Sequence, residues 1–203
     1  GRPSGDRRLR LLDLGCAYGP FLSAAREAGY DPYGVDVSSA AVTYVREELG
    51  FTAERATLEE LEAEAVFGVD RFDIITMWYV IEHLPDVDAV LRRVSSLLAP
   101  GGIFAFSTPN GEGISARTDR ERFLKQSPQD HRTIWEPSRT DIVLGPYGLE
   151  VQRIRVTGHH PERFPLLRGR PANSPLRLLS PFLHLVSRAK GLGDTFECYT
   201  RGG

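Results

Sequence analysis

LLDLGCAYGPFL (residues 11–22) begins as a buried apolar run, turns on two glycines four residues apart, and resumes as a helix with Pro20 in its first turn. Gly15 and Gly19 let the backbone pass close to a ligand, and the helix start beyond them offers free N–H groups to a carboxylate or phosphate. Read outward from this turn, strands and helices alternate. Leu9–Leu14 is a strand, Pro20–Ala28 a helix closed by Gly29, and Pro32–Asp36 a second strand. Ser38 caps a helix to Leu49, Phe51–Ala56 is a short strand, and Thr57 with Glu60 forms a capping box for a helix through about Phe67. Phe72–Trp78 is a continuous apolar run, as expected of a strand covered on both faces. Asp86–Leu98 carries apolar residues at helical spacing, Pro100-Gly101-Gly102 ends it, and Ile103–Thr108 is the fifth strand. Such alternation implies a parallel sheet with helices on both faces.

After residue 109 the rhythm breaks. Residues 109–137 read as polar loop, Ser138–Gly145 as a helix and Leu149–Thr157 as a strand of alternating polarity. Residues 158–193 are rich in Pro and Arg around one apolar stretch, Leu176–Val186, and Thr195–Arg201 closes the chain as an edge strand.

The chain has 203 residues, 41% hydrophobic and 26% charged, which fits one globular domain and excludes collagen, coiled coil and disorder. No apolar run reaches the ~18 residues of a membrane span. Residues 1–10 are charged and lead into a strand, so no signal peptide is expected. Cys16 and Cys198 match no metal spacing and read as reduced thiols of a cytoplasmic protein. The net charge of −2 hides a split. Residues 1–110 carry 10 basic and 17 acidic side chains; residues 111–203 carry 15 and 10. Residues 151–190 hold eight Arg or Lys and one acid, Glu162.

In open parallel sheets ligands sit beyond the carboxyl ends of the strands. A dinucleotide site would show G-x-G-x-x-G there. This loop instead suits one small anion with a cation beside Asp13, as in an amino-acid tail. Asp36, 21 residues after Gly15, can accept both hydroxyls of a ribose, and Thr57 and Leu58 would flank a base. Amino acid, ribose and base together describe S-adenosylmethionine.

LLDLGCAYGPFL (11–22), YGVDVS (33–38), FDIITMWYVIEHLPD (72–86) and LLAPGGIFAFSTPN (97–110) resemble, in order and spacing, the class I S-adenosylmethionine-dependent methyltransferases of the small-molecule, ubiquinone/menaquinone-biosynthesis-like branch. DHRTIWEPSRTDIVLGPYGLEV (130–151) resembles that branch's lid and sixth-strand region. The resemblance implies a Rossmann-like, doubly wound seven-stranded α/β sheet of order 3-2-1-4-5-7-6. Its last strand is antiparallel, and the basic insert falls between strands six and seven. It implies one domain over 1–203, with 109–137 and 158–193 covering the pocket. Relatives carry capping helices before strand one, whereas eight residues precede Leu9 here. Either the chain is trimmed or those two segments do the covering alone.

Carried over by position, Asp13, Gly15, Cys16, Ala17 and Gly19 would hold the methionine moiety, Asp36 the ribose, and Val37, Thr57 and Leu58 the adenine. Met77, Trp78 and Tyr79 fall around the sulfonium, and S-adenosylhomocysteine is the product. Plainer readings stand beside these: Cys16 as a packing residue, Trp78 and Tyr79 as core aromatics, His83 as a histidine bonded within its own turn. The transfer is an in-line displacement whose positioning can supply roughly 7–11 kcal/mol. His83 and His131 are the candidate bases, with Glu82 and Tyr79 behind them in the catalytic set; His159 and His160 could also reach the pocket. No metal is expected.

The turn after strand four lacks the Asn/Asp-Pro-Pro-aromatic pattern of the enzymes that methylate amino groups of DNA and of protein glutamine, and the double-glutamate loop of arginine methyltransferases is missing, which favours a small molecule. Arg153, Arg155, Arg163, Arg168, Arg170 and Arg177 suggest an anionic acceptor such as a nucleotide sugar, a phosphorylated metabolite or a lipid-linked precursor. Nucleic acid is not expected as a partner, because stacking aromatics are not interleaved with the cations. Residues 176–190 offer a peripheral membrane contact. The alternative is a cofactor-binding protein without catalysis, or one that modifies protein or RNA.

Overall fold

A computed structural model describes residues 7–203, so the charged leader 1–6 lies outside the described residues. One sheet organises the chain: β1 (Arg10–Leu14), β2 (Asp31–Asp36), β3 (Thr52–Arg55), β4 (Phe72–Trp78), β5 (Leu98–Pro109), β6 (Leu149–Thr157) and β7 (Thr195–Gly202), in the order β3-β2-β1-β4-β5-β7-β6. β1 to β5 are parallel, and β7 runs antiparallel to both β5 and β6. This is the order the resemblance implies. β7 therefore lies inside the sheet, and its alternate residues Phe196, Cys198 and Thr200 are buried. The expectation of an edge strand there is corrected: β3 and β6 are the edges.

The helices are α1 (Pro20–Glu27), α2 (Ser39–Glu47), α3 (Ala63–Phe67), α4 (Val87–Leu97), α5 (Ile114–Thr118), α6 (Arg120–Gln126), α7 (Thr140–Leu144) and α8 (Ser180–Ala189). Ser38 and Asp86 cap α2 and α4, accepting from Ala41 N and Ala89 N, each worth about 1 kcal/mol. On one face Leu22, Val42, Val45 and Phe51 enclose Cys16. On the other, Val90, Leu91 and Val94 of α4 pack with Phe72, Ile75, Phe104 and Phe106 of the sheet.

Three other expectations change. The Thr57–Glu60 box forms, with Glu60 N 3.3 Å from Thr57 Oγ1, but the helix starts only at Ala63. The Leu61 carbonyl, just before the helix, accepts from the Arg93 guanidinium. β5 begins at Leu98, directly after α4, and absorbs Gly101 (φ 71°) and Gly102 in a register shift opposite Phe72. Residues 109–137 are not plain loop but contain α5 and α6, whose junction Asp119 caps α6 through Arg122 N.

The strand ends coincide where they matter. Leu14 pairs with Val35 of β2 and Met77 of β4, so the loops after β1, β2 and β4 emerge together at the point where strand order reverses.

Candidate active site

The loop after β1 is built tightly. Gly15 and Cys16 both donate to the Val35 carbonyl, at 2.8 and 3.1 Å, and Gly19 N closes on Cys16 O at 2.9 Å. Gly15 has φ 74°, and a Cβ there would collide with a Val80 methyl from the loop after β4. A Cβ on Gly19 would lie 2.8 Å from Leu49. Ala17 (φ 46°) and Tyr79 (φ 57°) also occupy the left-handed region, in the loops after β1 and β4. Non-glycine residues held so are concentrated at functional sites.

Asp36 ends β2 with each carboxylate oxygen on a backbone amide: Oδ2 accepts from Ala17 N at 2.9 Å and Oδ1 from Ser38 N at 2.8 Å. The carboxylate is thereby fixed beside the glycine loop, and both oxygens retain a lone pair for further donors. Val37 stands 66% exposed just beyond.

Other expected contacts are placed differently. Asp13 does not face open cleft. It is buried and accepts from Thr76 Oγ1 at 2.6 Å. Cys16 packs in the core, and burial pushes its thiol up to about 12, which makes it an inert packing residue. The side chains of Leu58 and Met77 lie in the main core, so only their backbone is left for a ligand. Thr57 is exposed, with its hydroxyl bonded to Glu60. Trp78 is half-buried against Phe21, ring centroids 5.1 Å apart, and its Nε1–H has no protein partner. Tyr79 is half-exposed.

Burial raises the Asp13 carboxyl to about 7, while the Thr76 bond pulls it back. Between about pH 4 and 7 the folded chain keeps a proton that the unfolded chain has lost, so this group lowers stability as pH rises through that window. Asp13→Asn is expected to melt above wild type at pH 8, by up to ~4 kcal/mol, with the gap closing toward pH 4. Thermal melts across that range check it.

A second cluster follows β4. His83 and His131 meet edge to face, centroids 4.7 Å apart, and His83 Nδ1 lies 3.1 Å from Asp130 Oδ2. The 130–133 segment is hung there by Arg132 and Thr133 amides on the Glu82 carbonyl, at 2.7 and 3.2 Å. The buried Glu82 carboxyl is pushed upward by desolvation, and its Oε2 has no partner. Donor atoms of Glu82, His83 and His131 lie within 4.8 Å of one another, a set a divalent cation could accept. No metal is expected from the sequence, where residues 82, 83 and 131 show no metal spacing.

A cavity of about 530 Å³ adjoins this cluster, lined by His131, Arg122, Phe123, His160, Arg163 and Arg168 among others. Of the six arginines expected to face the acceptor, Arg163 and Arg168 line it. Arg163 is engaged by the buried Asp194 at 2.6 Å, and Arg168 lies 3.6 Å from Asp119. Arg153 and Arg155 sit on the edge strand β6, while Arg177 is folded back onto the Arg170 and Pro171 carbonyls. His160 reaches the cavity. His159 instead bonds Ser187 Oγ at 2.8 Å. Asp130 and Arg122 were not anticipated. The acid directly before His131 was a visible signal; Arg122 was hidden in a segment read as loop.

A family profile described as "Methyltransferase domain" matches residues 2–153. The chain belongs to the class I S-adenosylmethionine-dependent methyltransferases. This methyltransferase is 34% identical over 107 residues to a ubiquinone biosynthesis O-methyltransferase of Bradyrhizobium, covering 50% of this chain and 40% of that one. It is 28% identical over 160 residues to the enzyme of that name from Thiobacillus denitrificans, covering 75% and 69%. The chain thus spans about two-fifths of the Bradyrhizobium relative's length. Its fold matches a SAM-dependent methyltransferase structure from Archaeoglobus fulgidus (TM-score 0.67, 17% identity, 96% and 86% of the two chains). It also matches magnesium protoporphyrin IX methyltransferase from Synechocystis with bound SAM (TM-score 0.59, 15% identity, 97% and 71%). The residues present fit the family's cofactor. The glycine loop is held at the strand ends by a close approach to Val80 that only Gly15 allows, Asp36 is pre-set by two amides, and the Trp78 N–H is unspent.

Proposed function

We propose that this methyltransferase transfers a methyl group from S-adenosylmethionine to an oxygen or nitrogen of a small anionic acceptor. Asp36 would take the ribose hydroxyls, the Gly15–Gly19 loop the amino-acid tail, and Val37 one face of the base. The cofactor, when bound, supplies an electrophilic methyl on a positive sulfur, so its leaving group needs no acid. The chain's own work is to orient the acceptor and hold its proton. Asp130 accepts from His83 Nδ1–H, a tautomer assigned from this contact, which leaves Nε2 free to take a proton from an acceptor hydroxyl. A neutral amine acceptor would not need that base.

The observation that carries the acceptor's charge is the cavity beside His131. Arg122 has no ion pair among the described residues, and Arg168 has only a long one at 3.6 Å. Both guanidiniums are therefore available for phosphate or carboxylate. Nucleotide sugars, phosphorylated metabolites and lipid-linked precursors share that chemistry. S-adenosylhomocysteine release should be detected with phosphorylated acceptors and not with their neutral counterparts. The pair Arg122→Glu and Arg168→Glu should raise the acceptor KM about 10–100-fold, the worth of a lost charge-assisted bond, with cofactor affinity unchanged. Equal use of neutral acceptors, or an unmoved KM, would remove the anionic assignment.

A further inference from the structure

The insert that closes the cavity has a second face. Between Glu162 and Asp194 the chain has no acidic residue and six cations: Arg163, Arg168, Arg170, Arg177, Arg188 and Lys190. Within it α8 is anchored on one side only. Leu183, Val186 and Leu176 pack with Ile114, Phe164, Leu167 and Leu192, and the buried Ser187 bonds His159. The opposite side is apolar and bare. Leu178 is 83% exposed, Phe182 63% and Leu185 64%. Phe182 and Leu185, three residues apart, share one face of α8, which Arg188 continues three residues further on; Leu178 stands just before the helix, in the 3-10 turn Pro175–Leu179. Arg170, Arg188 and Lys190 are exposed and form no ion pair among the described residues. Scattered exposed leucines need no explanation, whereas two large hydrophobes on one helix face, with a third at the helix entrance and unpaired cations beside them, do.

We infer that this α8 face docks on the surface of an anionic lipid bilayer, with Leu178, Phe182 and Leu185 entering the headgroup boundary and Arg170, Arg188 and Lys190 meeting lipid phosphates. Among the described residues no helix is long and apolar enough to cross a membrane, so α8 lies on the surface and does not span it. Charge selects the occupant. A second copy of the chain packed through the same face would bring the acid-free segments together and add like charges, whereas an anionic bilayer offers the complementary sign. The docking also gives the arginine-lined cavity an orientation, because Arg163 and Arg168 of the same insert line it. The inference does not depend on the acceptor's identity, and its test reads binding without turnover.

Co-flotation of the whole chain with phosphatidylcholine vesicles, with and without phosphatidylglycerol, tests it. Partitioning onto the anionic vesicles should exceed that onto neutral ones by at least ~10-fold and fall as salt is raised. Phe182→Ser with Leu185→Ser should lower it about 10²-fold. Both side chains are outside the core, so melting temperature and cofactor binding should be retained. Arg188→Glu with Lys190→Glu should lower it about 10-fold and flatten the salt dependence, an arm that stands if the serine variant misfolds. Equal partitioning on both vesicle types, or variants that float like wild type, would overturn the inference. So would a dimer in sedimentation velocity that the serine pair converts to monomer, since the face would then belong to a second copy.

Discussion

His83→Ala is expected to lower kcat about 10²–10⁴-fold on a hydroxyl acceptor, the usual contribution of a positioned base. The expectation rests on geometry. The Asp130 contact at 3.1 Å fixes one ring nitrogen, and the T-shaped packing of His131 at 4.7 Å limits rotation of the ring. The other nitrogen is left as a proton acceptor in a cluster that adjoins the cavity through His131. Cofactor affinity should be unchanged, because no atom of His83 belongs to the glycine loop or to the Asp36 network. Asp130→Asn should give a smaller loss of kcat, since it weakens the contact that holds the ring while leaving the ring in place. A loss below ~10-fold for His83→Ala would show that no base is used, as an amine acceptor permits.

Gly15→Ala is expected to weaken cofactor binding by at least ~100-fold. Two costs combine. An L-residue at φ 74° is disfavoured by about 1–2 kcal/mol, and the new methyl collides with Val80. The loop must shift to relieve the clash, and with it the Gly15 and Cys16 amides that tie it to Val35. Gly15→Ala combined with Val80→Ala removes the collision and keeps the backbone cost, so part of the affinity should return. Calorimetric titration of both variants checks this. A Kd within about threefold of wild type for Gly15→Ala, less than ~1 kcal/mol, would mean the loop does not line the site.

The frame around these residues was legible because its signals are local. Glycine spacing, Pro20 and the cap at Ser38 each report on neighbours a few residues away, and the structure keeps them all. The direction of a side chain on a doubly covered strand is not local. Met77 and Trp78 are adjacent, yet one fills the core and the other meets Phe21 beside the loop, and an apolar run carries no alternation to tell them apart. The Asp130–His83 pair spans 47 residues and exists only because the Glu82 carbonyl captures the amides of 132 and 133. Arginine counting likewise overstated the acceptor site. Arg163 is consumed by Asp194 and Arg177 by carbonyls, partners that only the folded insert brings near.

Titration of S-adenosylhomocysteine into the wild-type chain and into Asp36→Ala, with melting curves to show both are folded, bears most directly on the cofactor site. Saturable binding to wild type and a loss of ~100-fold or more in the variant are expected, since two hydroxyl bonds to a carboxylate disappear together. No binding to the folded wild-type chain, or equal affinity in the variant, would contradict the placement of the cofactor between the first two strand ends.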